Sequence, residues 1–327
     1  MTYPVRDYCI RIRLLSPVGT PWQSDTIFGH LAWHVAYGWR GIGIQEFLRP
    51  FLEGQPPFVL SDAFPEGFLP RPFLPVRSKR PTQLKEYAEA KRREKATFVS
   101  LDDFEAIRRG HVDKWQPAPE LWHRFDVLHA SINRLTNTTT GPEGERATEG
   151  HLFSTRLSLP ASTDSDSPQV LPLCVYLRAG DPWGAWVPEM LQDMAPLGFG
   201  SDRSTGVGAY EVIGVEPFDG FGPLDGANGF ISLSSYCPAR TDPTRGRWKI
   251  RIKYGKLGEN AGDGNPFKRP LIQFEPGAVF LTDGPPKPFY GRTVTGIAPR
   301  FPDAIQCCYT LAVPCILPEA VMEAFQQ

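Results

Sequence analysis

The chain has 327 residues, 41% of them apolar and 22% charged, which is the balance of a globular protein. At roughly 100–200 residues per domain, that length predicts two domains. Its 35 basic and 36 acidic residues nearly cancel, which excludes a globally basic nucleic-acid coat but not a local basic groove.

The segment Tyr8–Leu15 alternates Ile10, Ile12 and Leu14 with Arg11 and Arg13, which predicts a half-buried strand ending at Ser16-Pro17. Ser24-Asp25-Thr26 offers N-cap chemistry for a helix whose apolar face runs Ile27, Phe28, Leu31, Ala32, Val35 and Trp39. Gly38 and Gly41 end it. Prolines punctuate residues 50–80 and predict extended segments and loops. Two helices follow. One runs Thr82–Lys95 behind Pro81, and the other runs Leu101–Arg109, with Ser100 and Asp103 as its capping box.

Residues 131–150 and 161–169 read as polar, turn-rich surface segments. A strand is expected over Leu171–Leu177 and a short helix over Pro188–Met194. The glycine-rich run Leu197–Tyr210 then leads into a strand ending at Val215. After the Gly/Pro-rich stretch 217–229 the pattern becomes all-strand: Phe230–Tyr236, Arg247–Tyr254, Leu271–Phe274, Ala278–Thr282 and Ala304–Val313. The expected domains are therefore 1–217 and 228–327. Each opens with a strand ending in a Pro turn, a faint internal echo.

Cys9, Cys174, Cys237, Cys307, Cys308 and Cys315 form no CxxC pair, so neither a zinc ribbon nor a thioredoxin motif is present. Buried free thiols are the expectation. No charged-then-apolar leader and no run of about 18 apolar residues stands out, so a cytoplasmic protein with no membrane partner is expected.

Four features carry possible chemistry. In the loop GFGSDRSTGVG, Gly198, Gly200, Gly206 and Gly208 surround Ser201, Asp202, Arg203, Ser204 and Thr205. Glycines let successive N–H groups face an anion, and a plain turn needs fewer of them. The loop matches neither a Walker A motif nor a Rossmann fingerprint. Residue types alone leave it between a long turn and a phosphate-binding loop.

In Arg247–Tyr254, the basic residues Arg247, Lys249, Arg251 and Lys253 alternate with Trp248, Ile250, Ile252 and Tyr254. An outward cationic face would make a phosphate track, or simply protect a sheet edge. Residues 77–95 hold eight basic and three acidic residues, a solvated helix or the flank of a groove. Finally, His30, His34 and Tyr37 fall on one helix stripe. Histidine titrates near neutrality and could serve metal-independent RNA cleavage, although such stripes more often make ordinary hydrogen bonds. The HExxH glutamate and a third metal ligand are absent from that stripe. No metal or cofactor set is expected.

The stretch Ser16–Trp33, SPVGTPWQSDTIFGHLAW, resembles a diagnostic stretch of the RAMP superfamily of CRISPR proteins. The loop 198–208 resembles the glycine-rich loop of that superfamily. Asn133–Thr136 (NRLT), followed by Gly150–Phe153 (GHLF), resembles the middle motif of one branch. That branch is the subunit of type III-A (Csm) effector complexes that caps the 5′ end of the CRISPR RNA. Gly255–Phe280 resembles its C-terminal domain.

The resemblance implies an α+β fold of two tandem ferredoxin-like (RRM-like) domains with insertions. It implies a non-catalytic role: holding the 5′ handle of the guide RNA while docking the large polymerase-domain subunit and the first backbone subunit. Carried over as RNA contacts are Gly198, Phe199, Gly200, Ser201, Arg203, Ser204, Thr205, Gly206 and Gly208, with Asn133 and Arg134 in second rank. Two related readings stay open. One is the precursor-processing endoribonucleases of the superfamily, with His34 and Tyr37 catalytic, and the other is the equivalent capping subunit of a type III-B complex.

Overall fold

The computed structural model describes residues 5–75, 83–113, 115–130, 132, 152–162, 169–258 and 266–325. Asn133, Arg134 and most of the two expected surface segments lie outside the described residues.

Strand β1 (Arg6–Leu14) forms where alternation predicts it. Helix α1 (Ser24–Ala36) follows, and Gly38 then turns the chain at φ 97°. Trp39, expected on that helix, sits instead in a short 3-10 turn and is buried. A helix not expected from the sequence, α2 (Ile44–Leu52), leads into the proline-punctuated region; it packs Phe47 and Phe51 inward and tolerates Pro50 in its last turn. Strands β2 (Phe58–Pro65) and β3 (Phe68–Pro70) follow as extended segments.

Next come α3 (Leu84–Lys95), opened by a reciprocal cap between Gln83 and Glu86, and β4 (Phe98–Ser100). Helix α4 (Leu101–Arg108) starts as expected, with Ser100 Oγ accepting from the Asp103 amide at 3.1 Å. Strands β5 (Trp122–Ala130) and β6 (Leu152–Ser162) pair as a hairpin that the sequence pattern did not announce. β7 (Gln169–Val170) and β8 (Leu173–Ala179) precede α5 (Trp183–Met194), which is a turn and a half longer than its apolar run suggests. β9 (Tyr210–Pro217) completes the first sheet.

That sheet runs β2–β8–β1–β9, entirely antiparallel, with α1 after its first strand and α5 after its third. The connectivity is a βαββαβ unit. β8 is buried along its whole length, as a strand covered on both faces must be.

The chain from residue 229 adds β10 (Gly229–Ser232), β11 (Gly246–Arg247), β12 (Ile250–Lys253), β13 (Leu271–Phe274), β14 (Val279–Leu281), β15 (Phe289–Val294), β16 (Gln306–Cys315) and a closing α6 (Glu319–Ala324). Its main sheet runs β11–β14–β10–β16–β15, and β12–β13 forms a separate two-stranded ribbon. No described helix separates these strands, so the second half is a sheet without the helical crossovers of the first.

Both halves share one core. Ile10, Leu31, Phe51 and Leu177 pack in the same buried cluster as Leu233, Leu311 and Val313. The connecting residues 218–228 are tied down as well: Arg108, itself buried, donates to the carbonyls of Gly220 and Gly222, and Phe221 packs edge-on against Tyr176. All six cysteines are free thiols, five of them buried. Among the described residues no helix is long and apolar enough to cross a membrane.

Buried polar groups lock the halves together. Asp25, in the first turn of α1, caps nothing. Gln23 holds the N-cap position without a capping bond from its side chain, which donates instead to the Ser235 hydroxyl. The Asp25 carboxylate reaches the second half, accepting from Gln273 at 2.7 Å, from Gln306 at 2.8 Å and from the Lys253 ammonium. Asp62 on β2 accepts from the backbone N–H of Ser24 and from both the N–H and the hydroxyl of Ser235. Burial pushes its carboxyl upward, against the pull of those donors.

Removing Asp25 takes the acceptor from two buried amides, Gln273 and Gln306, and leaves the part-buried Lys253 ammonium with only the Thr26 hydroxyl. Asp25→Ala is expected to cost about 3–5 kcal/mol in denaturant unfolding. Asp25→Ala combined with Lys253→Met should cost less than the sum of the two single changes, because both remove the same pair.

Candidate nucleic-acid interface

The loop between α5 and β9 is built by sterics. Gly198, Gly200, Gly206 and Gly208 all have positive φ, as does Asp202. A Cβ on Gly208 would lie 2.1 Å from the Phe199 carbonyl oxygen, and one on Gly200 would lie 2.6 Å from Thr20 Cβ. These two glycines let the loop fold onto itself and onto residues 16–20. At Gly206 a Cβ meets nothing within 4 Å, so only its backbone angle constrains it.

Phe199 is the plug. Its ring is 2% exposed and stacks on Trp22 at 3.9 Å and on His30 at 4.6 Å. It is therefore an internal anchor rather than an RNA contact, and buried Gly208 is likewise structural. Most loop amides are used inside the protein. Phe199 N–H donates to Gly208 O, Gly208 N–H to Pro17 O, and Ser201 N–H to Thr20 Oγ1. Gly198, Thr205 and Gly206 bond to nearby carbonyls. The expected row of glycine N–H groups facing an anion is thus largely committed. What the crest presents is Ser201, Asp202, Ser204, Thr205 and Gly206, all exposed, beside half-buried Arg203.

His30 belongs to this site in a way the helix stripe did not suggest. Its Nε2 accepts from the Gly200 amide at 3.3 Å. Burial and the nearby Arg203 guanidinium push its pKa down to about 4. It is a neutral acceptor holding the loop. His34 turns elsewhere, with Nε2 3.5 Å from Asp193, and exposed Tyr37 stacks on Trp33. The three stripe residues therefore stand in three environments.

The sequence signal that finds the missed members is the stretch 16–30 itself. Ser16 Oγ accepts from the Ala209 amide, Thr20 from that of Ser201, and Val18 pairs with Ser158 on β6. The loop, the Ser-Pro turn and the β5–β6 hairpin therefore meet. On that hairpin Leu128 and Phe153 are exposed, and His129 stacks on Phe153.

The cationic strand face is a correction. Arg247–Tyr254 is not one strand: β11 pairs with β14, and β12 pairs with β13 after a break at Trp248 and Lys249. The β12–β13 ribbon also faces the opposite way. Lys253 is drawn in to Asp25 and Arg251 lies 3.5 Å from Glu275, while Ile250, Ile252, Tyr254 and Ile272 are more than half exposed. Among the described residues no group of three His, Cys, Asp or Glu side chains comes together to hold a metal.

No protein-family model matches this sequence, and no curated protein matches it. Solved structures do. The fold is similar to a chain of a Csm1–Csm4 cassette in complex with cA4 (TM-score 0.60, 16% identity), covering 97% of this chain and 100% of that one. A cassette in complex with one ATP matches over the same shares (TM-score 0.56, 18% identity). A chain of the Csm3–Csm4 subcomplex in the type III-A CRISPR-Cas interference complex matches over 96% and 100% (TM-score 0.58, 11% identity). Csm4 is the component common to these structures. The chain has a Csm4-like fold. The resemblance carried by residues 16–33 and 198–208 thus agrees with a fold match over nearly the whole length.

Two outcomes test the loop's construction. Gly208→Ala should destabilise the protein far more than Gly206→Ala, whose backbone strain costs on the order of 1 kcal/mol, as read by thermal unfolding. For His30, the unfolded chain takes up a proton near pH 6.5 that the folded protein refuses until about pH 4. Its contribution is complete above pH 6.5 and is lost as pH falls towards 4, by at most about 3 kcal/mol. Urea unfolding at pH 7 and pH 4.5 should show this loss, and His30→Gln, which keeps an acceptor for Gly200, should flatten it.

Proposed function

We propose that this chain is the RNA-binding, non-catalytic subunit of a type III-A CRISPR (Csm) effector complex. In this reading it anchors the 5′ handle of the CRISPR RNA, and it docks the large polymerase-domain subunit on one side and the backbone RAMP subunit on the other. A ferredoxin-like first domain over 1–217, a strand-rich second domain over 228–327 whose described strands depart from the ferredoxin-like pattern, and a cytoplasmic location belong to the same reading.

The observation that carries it is the meeting of two resemblance motifs some 180 residues apart. Residues 16–20 and 198–208 close on each other through Ser16–Ala209, Pro17–Gly208 and Thr20–Ser201. Their joint crest offers hydroxyls and one guanidinium beside the Asp202 carboxylate, a surface suited to ribose hydroxyls and to a phosphate held on the Arg203 side. Near-neutral net charge suits a subunit whose RNA groove is only part of its surface. The processing-nuclease alternative needs an acid and a base at one place. Here His30 holds the Gly200 amide, His34 lies 3.5 Å from Asp193 and Tyr37 stacks on Trp33.

Repeat-derived single-stranded RNA incubated with the chain in EDTA should remain intact and bind in a salt-sensitive way. Arg203→Ala should weaken binding about tenfold and lower the salt slope by up to ~0.7, one phosphate contact on a single strand. Unchanged affinity would remove the loop from the reading. Discrete cleavage lost in His34→Ala would replace the reading with the nuclease.

A further inference from the structure

The break between β11 and β12 places three cations and two aromatic rings around one open cleft of about 430 Å³. Its walls are Arg71, Phe73 and Leu74 after β3, and Gly246, Arg247, Trp248 and Lys249 at the break. Among the described residues no carboxylate lines it. The Lys249 ammonium lies 5.0 Å from the centre of the Phe73 ring, and the Arg71 guanidinium lies 6.0 Å from it.

Arg71 is buried and held by the carbonyls of Ala96 and Glu94, so it is a fixed charge in the cleft wall. Trp248 is backed by Phe280, stacked at 5.4 Å and 11°, while 42% of it stays exposed. Arg247 and Lys249 are exposed on either side of it. These two are the members of the basic alternation that the fold does not consume, since Arg251 lies beside Glu275 and Lys253 is bonded to Asp25.

We infer that this cleft is a nucleotide-binding subsite that takes an aromatic base against Trp248 and Phe73 and its phosphate between Arg247 and Lys249. The chemistry is complementary on both counts. A preoriented indole with one open face stacks any base, and flanking cations without a competing carboxylate hold a phosphate. The volume is that of a small-ligand site, and its open side lets a chain continue in both directions. The ligand is either one residue of a single-stranded RNA or a free nucleotide. In the first case the inference rests on the RNA-binding reading above and extends it to a second contact point.

The test uses the full chain, a single-stranded RNA carrying 4-thiouridine at several positions, and AMP as competitor. After photocrosslinking, adducts are mapped on the intact protein and on two variants, Trp248→Ala and Arg247→Glu/Lys249→Glu. The second variant changes only exposed side chains, so it keeps the test sharp if loss of the Trp248–Phe280 stack disturbs the sheet. The expected result is an adduct on peptides holding Phe73 or Trp248, reduced about tenfold in both variants, while adducts at residues 198–208 persist.

Loss of the cleft adduct with millimolar AMP identifies a free nucleotide as the ligand. Retention identifies an RNA residue. Adducts confined to residues 198–208, unchanged in the charge-reversed variant, overturn the cleft and leave the loop reading standing. No adduct at either place overturns both.

Discussion

A single buried carboxylate, that of Asp25, is the constraint on which the arrangement of the two halves depends. A charge this far from water is tolerated only when donors surround it. Besides the neighbouring Thr26 hydroxyl, its donors are Lys253, Gln273 and Gln306, which come from the second half of the chain. The first turn of α1 can therefore be buried only if β12, β13 and β16 are in place. Asp62 and Ser235 repeat the device one strand away, and Arg178 on β8 does so again. Arg178 makes a bidentate pair with Asp7 and donates to the carbonyls of Pro288 and Ala312. Each network is well supplied with partners, so each favours one relative placement of the sheets over many apolar alternatives.

That placement reaches the loop through the chain entering α1. The backbone at Trp22 is paired to Ala63 on β2, and the next two residues bond to Ser235 and Asp62. Trp22 is thus fixed on one side by the inter-sheet contact and stacks on Phe199 on the other. His30, two turns further on, fixes the Gly200 amide. The crest bearing Ser201, Arg203, Ser204 and Thr205 stands on these rigid supports, so its exposed groups are preorganised although they lie on a loop.

Much of the first sheet was legible in the sequence because its strands alternate or run continuously apolar, and its helices carry clear punctuation. Ser100 capping α4 is the plainest case. The α2 helix was not legible: Pro50 argues against a helix locally, while burial of Phe47 and Phe51 beneath Phe28 and Phe58 overrides it. β5 and β6 were missed because β5 is mostly exposed and β6 passes from exposed to buried along its length, so neither gives a clear period-2 contrast. At the site, the glycine loop and the stretch 16–33 were found from residue types. The burial of Phe199 and the neutral acceptor role of His30 depend on stacking and burial across distant segments, which no local pattern encodes.

The inversion of β12 shows how such a pattern is decided. RWKIRIKY alternates equally well in either orientation, so periodicity fixes which residues share a face but not which face turns inward. Turning the ribbon over would bury Ile250 and Ile252, a gain of roughly 1.5–3 kcal/mol each if burial were complete. It would also carry Arg251, Lys253 and Gln273 to solvent, since Arg251 and Gln273 are register partners on the same face. Asp25 would then keep a single donor from that half, and stripping partners from a buried ion costs about 3–5 kcal/mol for the pair alone, with the lost amide bond in addition. The observed orientation keeps the donors on Asp25, and Ile250, Ile252 and Ile272 stay at the surface. The strand break at Trp248 and Lys249 frees the N-terminal part of the stretch from that choice. Lysine 253 therefore serves the fold, while Arg247 and Lys249, two turns of the pleat away, keep their charge at the surface.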